Sequence, residues 1–315
     1  MPIDPSVAVG AELPLRSSSG AAPMSSSTTS ASVPGPIPPT RVNCVTSGTG
    51  PQVLPTFATV AATFHQVEPP KVSFPGIEID LAKVVHGSQE VTVHAPIPAS
   101  GKGRTVTRIA EVWDKGKAAV VVQESVTEDL DGNPLWTARS SIFARGEGGF
   151  GGERGPSESV EYPDREPDAE FDVPTLPQQA LLYRLCGDRN PLHSDPEFAS
   201  AAGFPAPILH GLCTYGIVCK AVTDGLLDAD ASRVKGFRAR FAGVVFPGET
   251  LRVRVWNDGD RKLVTVSVIE RDLDPALADV YSPWRDRHAL PKERHSNMTL
   301  RDSSPRLSRR GFLAA

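Results

Sequence analysis

The stretch of the sequence richest in reactive side chains is "YRLCGDRNPLHSDPEFA", residues 183–199. It places Asp188 and His193 in one loop, together with Asn190 and Pro191. A carboxylate and an imidazole that face one reacting atom can transfer protons, so the pair is a candidate acid–base site. Asp188, Asn190 and Pro191 are also common turn residues, and a loop built only for its shape would explain the same letters.

The elements around this loop are suited to hold it in place. Asp195 and Pro196 fit the N-cap and first position of a short helix that ends at Gly203. The apolar segment 209–227 predicts a longer helix, with Gly211 at its start. A glycine N–H at a helix N-terminus, backed by the helix dipole, can act as an oxyanion donor. Close packing of Gly211 against a sheet is the plainer interpretation.

The chain divides into two similar halves. Apolar residues at helical spacing predict a helix over 77–87, and strand-like runs follow it, with a hairpin turn at Asp114–Lys117. In the second half, the helix 209–227 also precedes strand-like runs. "VVHGSQ" (84–89) resembles "ILHGLC" (208–213), which indicates a duplication. A helix followed by antiparallel hairpins, twice over, predicts an α+β fold.

Shifts in composition give the expected boundaries. The first segment is rich in Ser, Thr and Pro, and the last is polar and basic without alternation, so both are expected to be disordered. The predicted division is a leader (1–52), a first repeat (53–150), a linker (151–168), a second repeat (169–280) and a tail (281–315).

Composition and charge exclude several classes of protein. The net charge of −4 gives no reason to expect nucleic acid or an anionic membrane as partner. The sequence has neither a long apolar run nor a secretory signal, so we expect no membrane span. The four cysteines lack C-x-x-C spacing, which argues against zinc and fits reduced thiols in the cytoplasm.

The longest motif carries a family resemblance. "YRLCGDRNPLHSDPEFASAAGFPAPILHGLCTYG" resembles the signature of MaoC-like, (R)-specific enoyl-CoA hydratases of the two-repeat hydratase 2 type. "RARFAGVVFPGETLRV" (238–253) is also similar, and the resemblance covers roughly residues 53–280. It implies a double hot dog fold, in which each repeat is a long helix wrapped by an antiparallel sheet. Cys186 departs from the family, which usually has Ser or Thr there.

The resemblance also implies roles for individual residues. Asp188 and His193 would activate water and deliver a proton across the double bond of a trans-2-enoyl-CoA, and the Gly211 N–H would hold the thioester oxygen. Asn190 would order the loop. The positions expected to contact the acyl-CoA are His86, Gly87, Lys115, Asn190 and Phe241. Packing explains His86, Gly87 and Phe241 equally well, and Lys115 could be a turn residue.

No metal or redox cofactor is implied, and the expected partner is an acyl-CoA thioester, with a homodimer as the assembly. If His86-Gly87 matches His210-Gly211, the positions that match Asp188 and His193 are Phe64 and Pro69. Neither side chain can transfer a proton. The first repeat is therefore expected to be catalytically empty and, as the family implies, to make room for bulky acyl chains.

The leader has a second explanation. Residues 24–46 read "MSSSTTSASVPGPIPPTRVNCVT". The genetic code permits codons for this peptide that, read in the frame one nucleotide upstream, encode "DVVLYHLGVGAGPDPTDPRELRY". That peptide resembles the start of the family's first repeat, which contains a loop similar to "YHLGVGAG". We infer that about residues 17–51 are translated out of frame; an unrelated disordered leader is the alternative.

Three functions follow from these observations. The first is a hydratase. The second is an acyl-CoA-binding hot dog protein whose catalysis is impaired by the damaged first repeat. The third is a hot dog thioesterase, the weakest of the three because thioesterase motifs lack the G-D-x-N-P-L-H loop.

Overall fold

An antiparallel sheet of ten strands dominates the computed structural model, which describes residues 3–13, 16–20, 52–64, 67, 74–79, 84–157 and 159–284. The strands are β1 (Arg16–Gly20), β2 (Val84–Val93), β3 (Gly101–Asp114), β4 (Ala118–Asp129), β5 (Pro134–Arg145), β6 (Ala169–Pro174), β7 (Gly236–Phe241), β8 (Thr250–Asp258), β9 (Arg261–Val268) and β10 (Leu273–Pro283). The α-helices are α1 (Pro5–Ala8), α2 (Gln179–Tyr183), α3 (Pro196–Ala201) and α4 (Gly211–Leu226). Single 3₁₀ turns occupy Pro55–Thr59, Arg184–Cys186, Pro191–His193 and Ala231–Arg233.

The order of the strands shows that the chain is built from two repeats. The order across the sheet is β1-β3-β4-β5-β2-β7-β10-β9-β8-β6, so each half has the same arrangement in mirror order. Antiparallel pairing of β2 with β7, from Ser88 opposite Arg240 to Thr92 opposite Gly236, joins the halves into one sheet. The predicted two-repeat α+β architecture is confirmed, and the central pairing brings residues of both halves to one place.

The helix α4 lies at the centre of the second repeat. It is apolar on nearly all sides, and every residue from Cys213 to Lys220 is buried, as expected for a helix wrapped by a sheet. Fully burying one Val, Leu or Ile side chain contributes about 1.5–3 kcal/mol, so this helix and the valines of β8 and β9 form much of the core. The predicted helix is confirmed. No helix in the described part of the chain is both long and apolar enough to cross a lipid bilayer.

The predicted hairpins of the first repeat are confirmed as well. β3 and β4 pair antiparallel across the short turn 115–117. The next turn, between β4 and β5, is closed by Asp129, whose Oδ1 accepts the backbone N–H groups of Asp131 at 2.9 Å and Asn133 at 2.8 Å. A carboxylate that binds the backbone a few residues on is a common way to stabilise a turn.

The predicted helix over residues 77–87 is wrong. Val84–Val93 is strand β2, which pairs with β5 on one side and β7 on the other; residues 80–83 lie outside the described part. The apolar spacing suited a helix, but β-branched residues follow it, and such residues pack well on a pleated sheet with neighbours on both sides. Among the described residues between β1 and β2, the helical element is the turn Pro55–Thr59.

This correction removes the proposed internal match. His86-Gly87 lies in β2, which by strand order corresponds to β7, whereas His210-Gly211 lies at the start of α4. The match between the two His-Gly pairs is therefore wrong, and so is the step that paired Phe64 and Pro69 with the catalytic residues.

The two ends of the chain differ in part from expectation. Residues 3–13 are not disordered, because Ile3 is 1% exposed and packs with Ala8, Phe74 and Ile77 in a small core cluster. At the other end, β10 continues to Pro283, beyond the expected end of the repeat at 280. The expectations for residues 21–51 and 285–315 lie outside the described part of the chain.

Candidate active site

Local hydrogen bonds shape the loop that bears Asp188 and His193. Asp188 Oδ1 accepts the N–H of Asn190 at 3.1 Å, and Asn190 Oδ1 accepts the N–H of Leu192 at 3.1 Å. Asn190 is thereby the N-cap of the turn Pro191–His193. These bonds satisfy backbone donors that would otherwise be unpaired, and they fix the spacing of the carboxylate and the imidazole.

Two flanking features hold this loop in place. Gly187 has φ +103°, and a Cβ there would lie 1.9 Å from the carbonyl oxygen of Thr63, so only glycine fits between the loop and the first repeat. On the other side, the predicted short helix α3 is confirmed, with Asp195 as its N-cap and Pro196 at its first position. The loop is therefore braced by both repeats.

The ring of His193 has a defined orientation. Its Nδ1 lies 2.9 Å from the carbonyl oxygen of Ile208. A carbonyl can only accept, so Nδ1 carries the proton and Nε2 is left as the free nitrogen. Burial lowers the pKa of His193, opposed by the charge of Asp188 and by the bond to Ile208. At neutral pH the imidazole is therefore uncharged and its Nε2 can accept a proton.

Gly211 is the first residue of α4, so its N–H has no acceptor within the helix. A Cβ at this position would meet the ring of Phe241 at 2.9 Å. The glycine therefore permits a close approach between the helix start and β7. It has both the packing role and the exposed N–H that its sequence position suggested.

These groups surround one cavity of about 580 Å³. It is lined by the catalytic loop, the start of α4, the end of β7 and the start of β2. The structure brings together six of the candidate residues there: Asp188, Asn190, His193, Gly211, His86 and Phe241. The carboxylate of Asp188 and ring nitrogens of His193 and His210 lie within 4.8 Å of one another, so Asp188 and His193 can act on one small molecule.

His86 brings the first repeat into this cavity. Its ring centroid lies 4.6 Å from that of Phe241, and its Nε2 is 3.1 Å from the carbonyl oxygen of Ser88. Burial lowers the pKa of His86 to about 4, so the ring is neutral at physiological pH. Gly87 sits at an irregularity in the pairing of β2 with β5, where a Cβ would lie 2.7 Å from Ser141 Oγ. Gly87 does not line the cavity, and packing accounts for it.

Lys115 is not brought to the cavity. It lies in the turn between β3 and β4, where its Nζ donates to the carbonyl oxygen of Pro156 at 2.8 Å and lies 5.4 Å from the ring centroid of Trp113. This placement supports the turn interpretation of Lys115.

Asp188, His193 and His210 also form a group that could be considered for a metal ion. The two imidazole rings are stacked, with centroids 3.7 Å apart and planes at 25°. Stacked rings direct their in-plane lone pairs along nearly parallel lines, and His193 Nδ1 is already committed to a carbonyl. Two imidazole ligands of one metal ion must instead converge on it. This geometry favours acid–base chemistry, and the absence of a metal stays a prediction.

Comparison with known proteins identifies the family. Residues 47–146 match the MFE-2 hydratase 2 N-terminal domain, and residues 158–274 match the MaoC like domain. An enoyl-CoA hydratase, ChsH3, of Mycobacterium tuberculosis is 56% identical over 290 residues, covering 89% of this chain and 98% of that protein. The chain belongs to the MaoC-like hydratase 2 family. The second match contains the whole loop and the start of α4, so the candidate acid–base residues of this hydratase lie in the MaoC-like repeat.

Solved structures support the fold of this MaoC-like hydratase. A MaoC-like dehydratase from Phytophthora capsici superposes with a TM-score of 0.81 at 27% identity, covering 91% of this chain and 99% of that one. A Mycobacterium tuberculosis protein described as having a double hot dog fold gives a TM-score of 0.54 at 12% identity, covering 89% and 97%. The predicted double hot dog fold is confirmed.

Sequence reasoning missed two residues that line the cavity of the hydratase, His210 and Arg145. His210 stood in the quoted motif but was used only to mark a repeat. Arg145, the last residue of β5, is exposed, and its side chain forms no hydrogen bond or ion pair with any described residue. Its position at the end of a strand could have been predicted, but its approach to the cavity depends on the pairing of the two repeats.

Proposed function

We propose that this chain is an (R)-specific 2-enoyl-CoA hydratase that adds water across the double bond of a trans-2-enoyl-CoA and, in reverse, dehydrates a 3-hydroxyacyl-CoA. The observation that carries the proposal is the convergence of Asp188, His193 and the N–H end of α4 on one cavity. Hydration of a conjugated thioester needs a base for water, a proton for C2 and a donor for the thioester oxygen. Asp188 and His193 would supply the base and the proton, and the N–H end of α4 would supply the donor to the thioester oxygen.

The tautomer of His193 suggests how the work is divided. Its free Nε2 accepts one proton of the water as the water oxygen bonds to C3, while the Asp188 carboxylate accepts a hydrogen bond from the other O–H and orients the water. Electrons of the double bond move toward the thioester, whose oxygen is held by the Gly211 N–H. The proton on His193 then passes to C2, which restores the neutral ring and leaves OH on C3 and H on C2.

The helix start suits the charge that develops in this reaction. Negative charge builds on the thioester oxygen only as the water adds, so an N–H fixed at a helix N-terminus stabilises the transition state more than the substrate. Phe241 packs against this point and, with His86, forms an apolar edge to the cavity.

The two ends of the substrate also have places. Arg145 lines the cavity, its side chain pairs with none of the described residues, and its guanidinium suits the phosphates of CoA. A second cavity of about 440 Å³ lies in the first repeat and shares Val84, His86 and Leu212 with the reaction cavity. It offers room for a long or bulky acyl group, the role the family gives to the first repeat.

Location and assembly belong to the same proposal. The described cysteines Cys186, Cys213 and Cys219 are buried and form no disulfide with one another, which favours a reducing compartment such as the cytoplasm. A homodimer is the assembly we propose on the family resemblance.

One assay separates the three candidate functions. Crotonyl-, decenoyl- and steroid enoyl-CoA are supplied to the purified chain, and loss of the absorbance of the conjugated thioester is followed. Hydration with formation of the (R)-3-hydroxy product, resolved by chiral chromatography, supports the proposal. Binding without loss of absorbance indicates the impaired acyl-CoA-binding protein. Release of free CoA thiol indicates a thioesterase. Formation of the (S)-product contradicts the stereochemical part.

A further inference from the structure

His210 is buried, yet neither of its ring nitrogens has a well-aligned hydrogen-bond partner among the described residues. It is 1% exposed and occupies the N-cap position of α4, but its side chain does not cap the helix. Buried polar groups in folded proteins are nearly always hydrogen-bonded. A phenyl ring would fill the same space without leaving polar atoms unpaired, so packing alone does not account for a histidine here.

The contacts of His210 point to the acid–base residues. Its ring stacks on that of His193, with centroids 3.7 Å apart, and its other neighbour is the ring of Tyr183 at 4.8 Å. Its edge faces the backbone carbonyl of Asp188, which opposes the lowering of its pKa. In the chain, His210 directly precedes Gly211. The side chain of His210 thus contacts the ring of His193 and the backbone of Asp188, and its residue directly precedes the proposed oxyanion donor.

We propose that His210 is a positioning residue for the hydration reaction: its ring holds His193 in the plane that bonds Ile208, and its edge ties the backbone of Asp188 to the start of α4. This inference rests on the function proposed above for the same site. His210 acts through its neighbours, because both of its ring nitrogens are buried. It sets the distance between the water-activating groups and the donor to the thioester oxygen.

The role requires that the stacked rings remain uncharged. Burial lowers the pKa of His210 well below its usual range, and the charges of His193 and Arg184 act in the same direction. The titratable and charged groups that face the pair or its neighbour Tyr183 are Asp188, Arg184, Cys186 and Cys213. If the ring of His210 is removed, water can enter beside His193, and the desolvation that lowers the pKa of His193 is reduced.

Two substitutions of His210 distinguish the role of its ring from the role of its ring nitrogens. His210→Phe keeps a stacked ring and excludes water, whereas His210→Ala removes both. We expect each to lower kcat for crotonyl-CoA by about 10- to 10²-fold through misplacement of the loop, with KM within about 2-fold. In His210→Ala the acid limb of the pH–rate profile should also move to higher pH, by about half a unit or more. In His210→Phe the limb should stay in place.

His94→Phe is the matched control, because His94 is exposed, bonds Thr137 through Nε2 at 2.8 Å and does not line the cavity. It should keep both kcat and the pH profile. Circular dichroism establishes that each variant is folded; if His210→Ala fails to fold, His210→Phe still decides the matter through kcat. Folded His210 variants with wild-type kcat and an unmoved acid limb would overturn the proposal.

A second measurement does not depend on turnover. Titration of the His193 ring by ¹H–¹⁵N NMR reports its pKa directly in the wild-type chain and in His210→Ala. A rise in that pKa supports the positioning role, and an unchanged pKa in the folded variant overturns it. If the wild-type chain hydrates none of the enoyl-CoA substrates, the proposed function fails, while this titration still tests the contact between the two histidines.

Discussion

The two repeats share one arrangement of strands but differ in the helical element that each sheet wraps. In the second repeat α4 is 16 residues long and begins at Gly211. In the first repeat the described helical element at the matching place is the single 3₁₀ turn Pro55–Thr59. The acid–base loop and the oxyanion donor both belong to the repeat with the long helix. Among the described residues, the second repeat combines a long helix N-terminus with reactive side chains and the first does not, so the candidate site is asymmetric although the two sheets match.

The peptide inferred for the alternative frame would explain why the first repeat need not be catalytic. Its segment "YHLGVGAG" resembles "YRLCGDRN" (183–190), and in that alignment a glycine stands at the place of Asp188. This alignment agrees with the order of the strands, unlike the match between His86-Gly87 and His210-Gly211. The restored first repeat would keep the shape of the loop and lack its proton-transferring group.

The largest effect should follow loss of the acid–base pair in the second repeat. Asp188→Asn or His193→Ala should each lower kcat by about 10²–10⁴-fold while the fold is kept. The double variant should be little worse than either single, because the two residues act on one water. Asp195→Ala is the control: it removes an N-cap from the same loop and should cost about 1 kcal/mol of stability without loss of kcat. If Asp188→Asn retains wild-type activity, the loop is only a turn.

A second prediction concerns the helix start that distinguishes the repeats. Gly211→Pro removes the N–H at a helix position that tolerates proline, and should lower kcat by about 10²–10³-fold with a smaller effect on acyl-CoA binding. Gly211→Ala adds the same Cβ against Phe241 but keeps the N–H. The difference between the two variants, measured by steady-state kinetics, isolates the N–H. Equal kcat values for Gly211→Pro and Gly211→Ala would show that the Gly211 N–H does not take part in the reaction.

A third prediction tests the asymmetry directly. Replacing residues 24–46 by "DVVLYHLGVGAGPDPTDPRELRY" should raise Tm by more than about 5 °C, because several buried Val, Leu and Tyr side chains would each add a few kcal/mol. Sequencing the gene from an independent isolate should show the in-frame version. A control peptide of the same composition in scrambled order should give no gain. An unchanged Tm together with an identical second gene sequence would favour an unrelated leader.

A fourth prediction compares the histidines of the two repeats as pH falls. Unfolded His86 binds a proton below about pH 6.5, whereas folded His86 does so only near its pKa of about 4. Between these values the unfolded state binds more protons, so stability falls as pH falls, by up to about 3 kcal/mol from this residue. Urea unfolding at several pH values should show a shallower dependence for His86→Gln. The pKa values of His193 and His210 are also lowered. These two residues should account for the dependence of stability on pH that remains in His86→Gln.

The smallest effect on catalysis is expected when the side chain that the first repeat places in the reaction cavity, His86, is removed. His86→Ala removes the ring that packs on Phe241 and should raise KM several-fold while kcat stays within about 2-fold, since the lost contact is made equally in substrate and transition state. A loss of kcat as large as that of His193→Ala would mean that both repeats supply catalytic groups.

The sequence by itself determined the features that depend on neighbouring residues. The turn role of Asn190, the Asp195-Pro196 helix start, the hairpin turn after Asp114 and the apolar run of α4 were all predicted and all formed. Their hydrogen bonds and periodicity are local, so the identities of a few adjacent side chains are enough to specify them. The family signature added the fold, because a long ordered motif identifies relatives whose structures are known.

The tertiary structure decided what depends on pairing between the repeats. The apolar spacing predicts residues 84–87 as the end of a helix, and the pairing of β2 with β5 makes them part of a strand. The pairing of β2 with both β5 and β7 brings His86 to Phe241 and Arg145 to the cavity, whereas Lys115 stays with Trp113 in a distant turn. The stacking of His210 on His193 likewise joins a helix start to a loop. Such contacts arise from the closure of the whole sheet around α4, and no local pattern in the sequence encodes them.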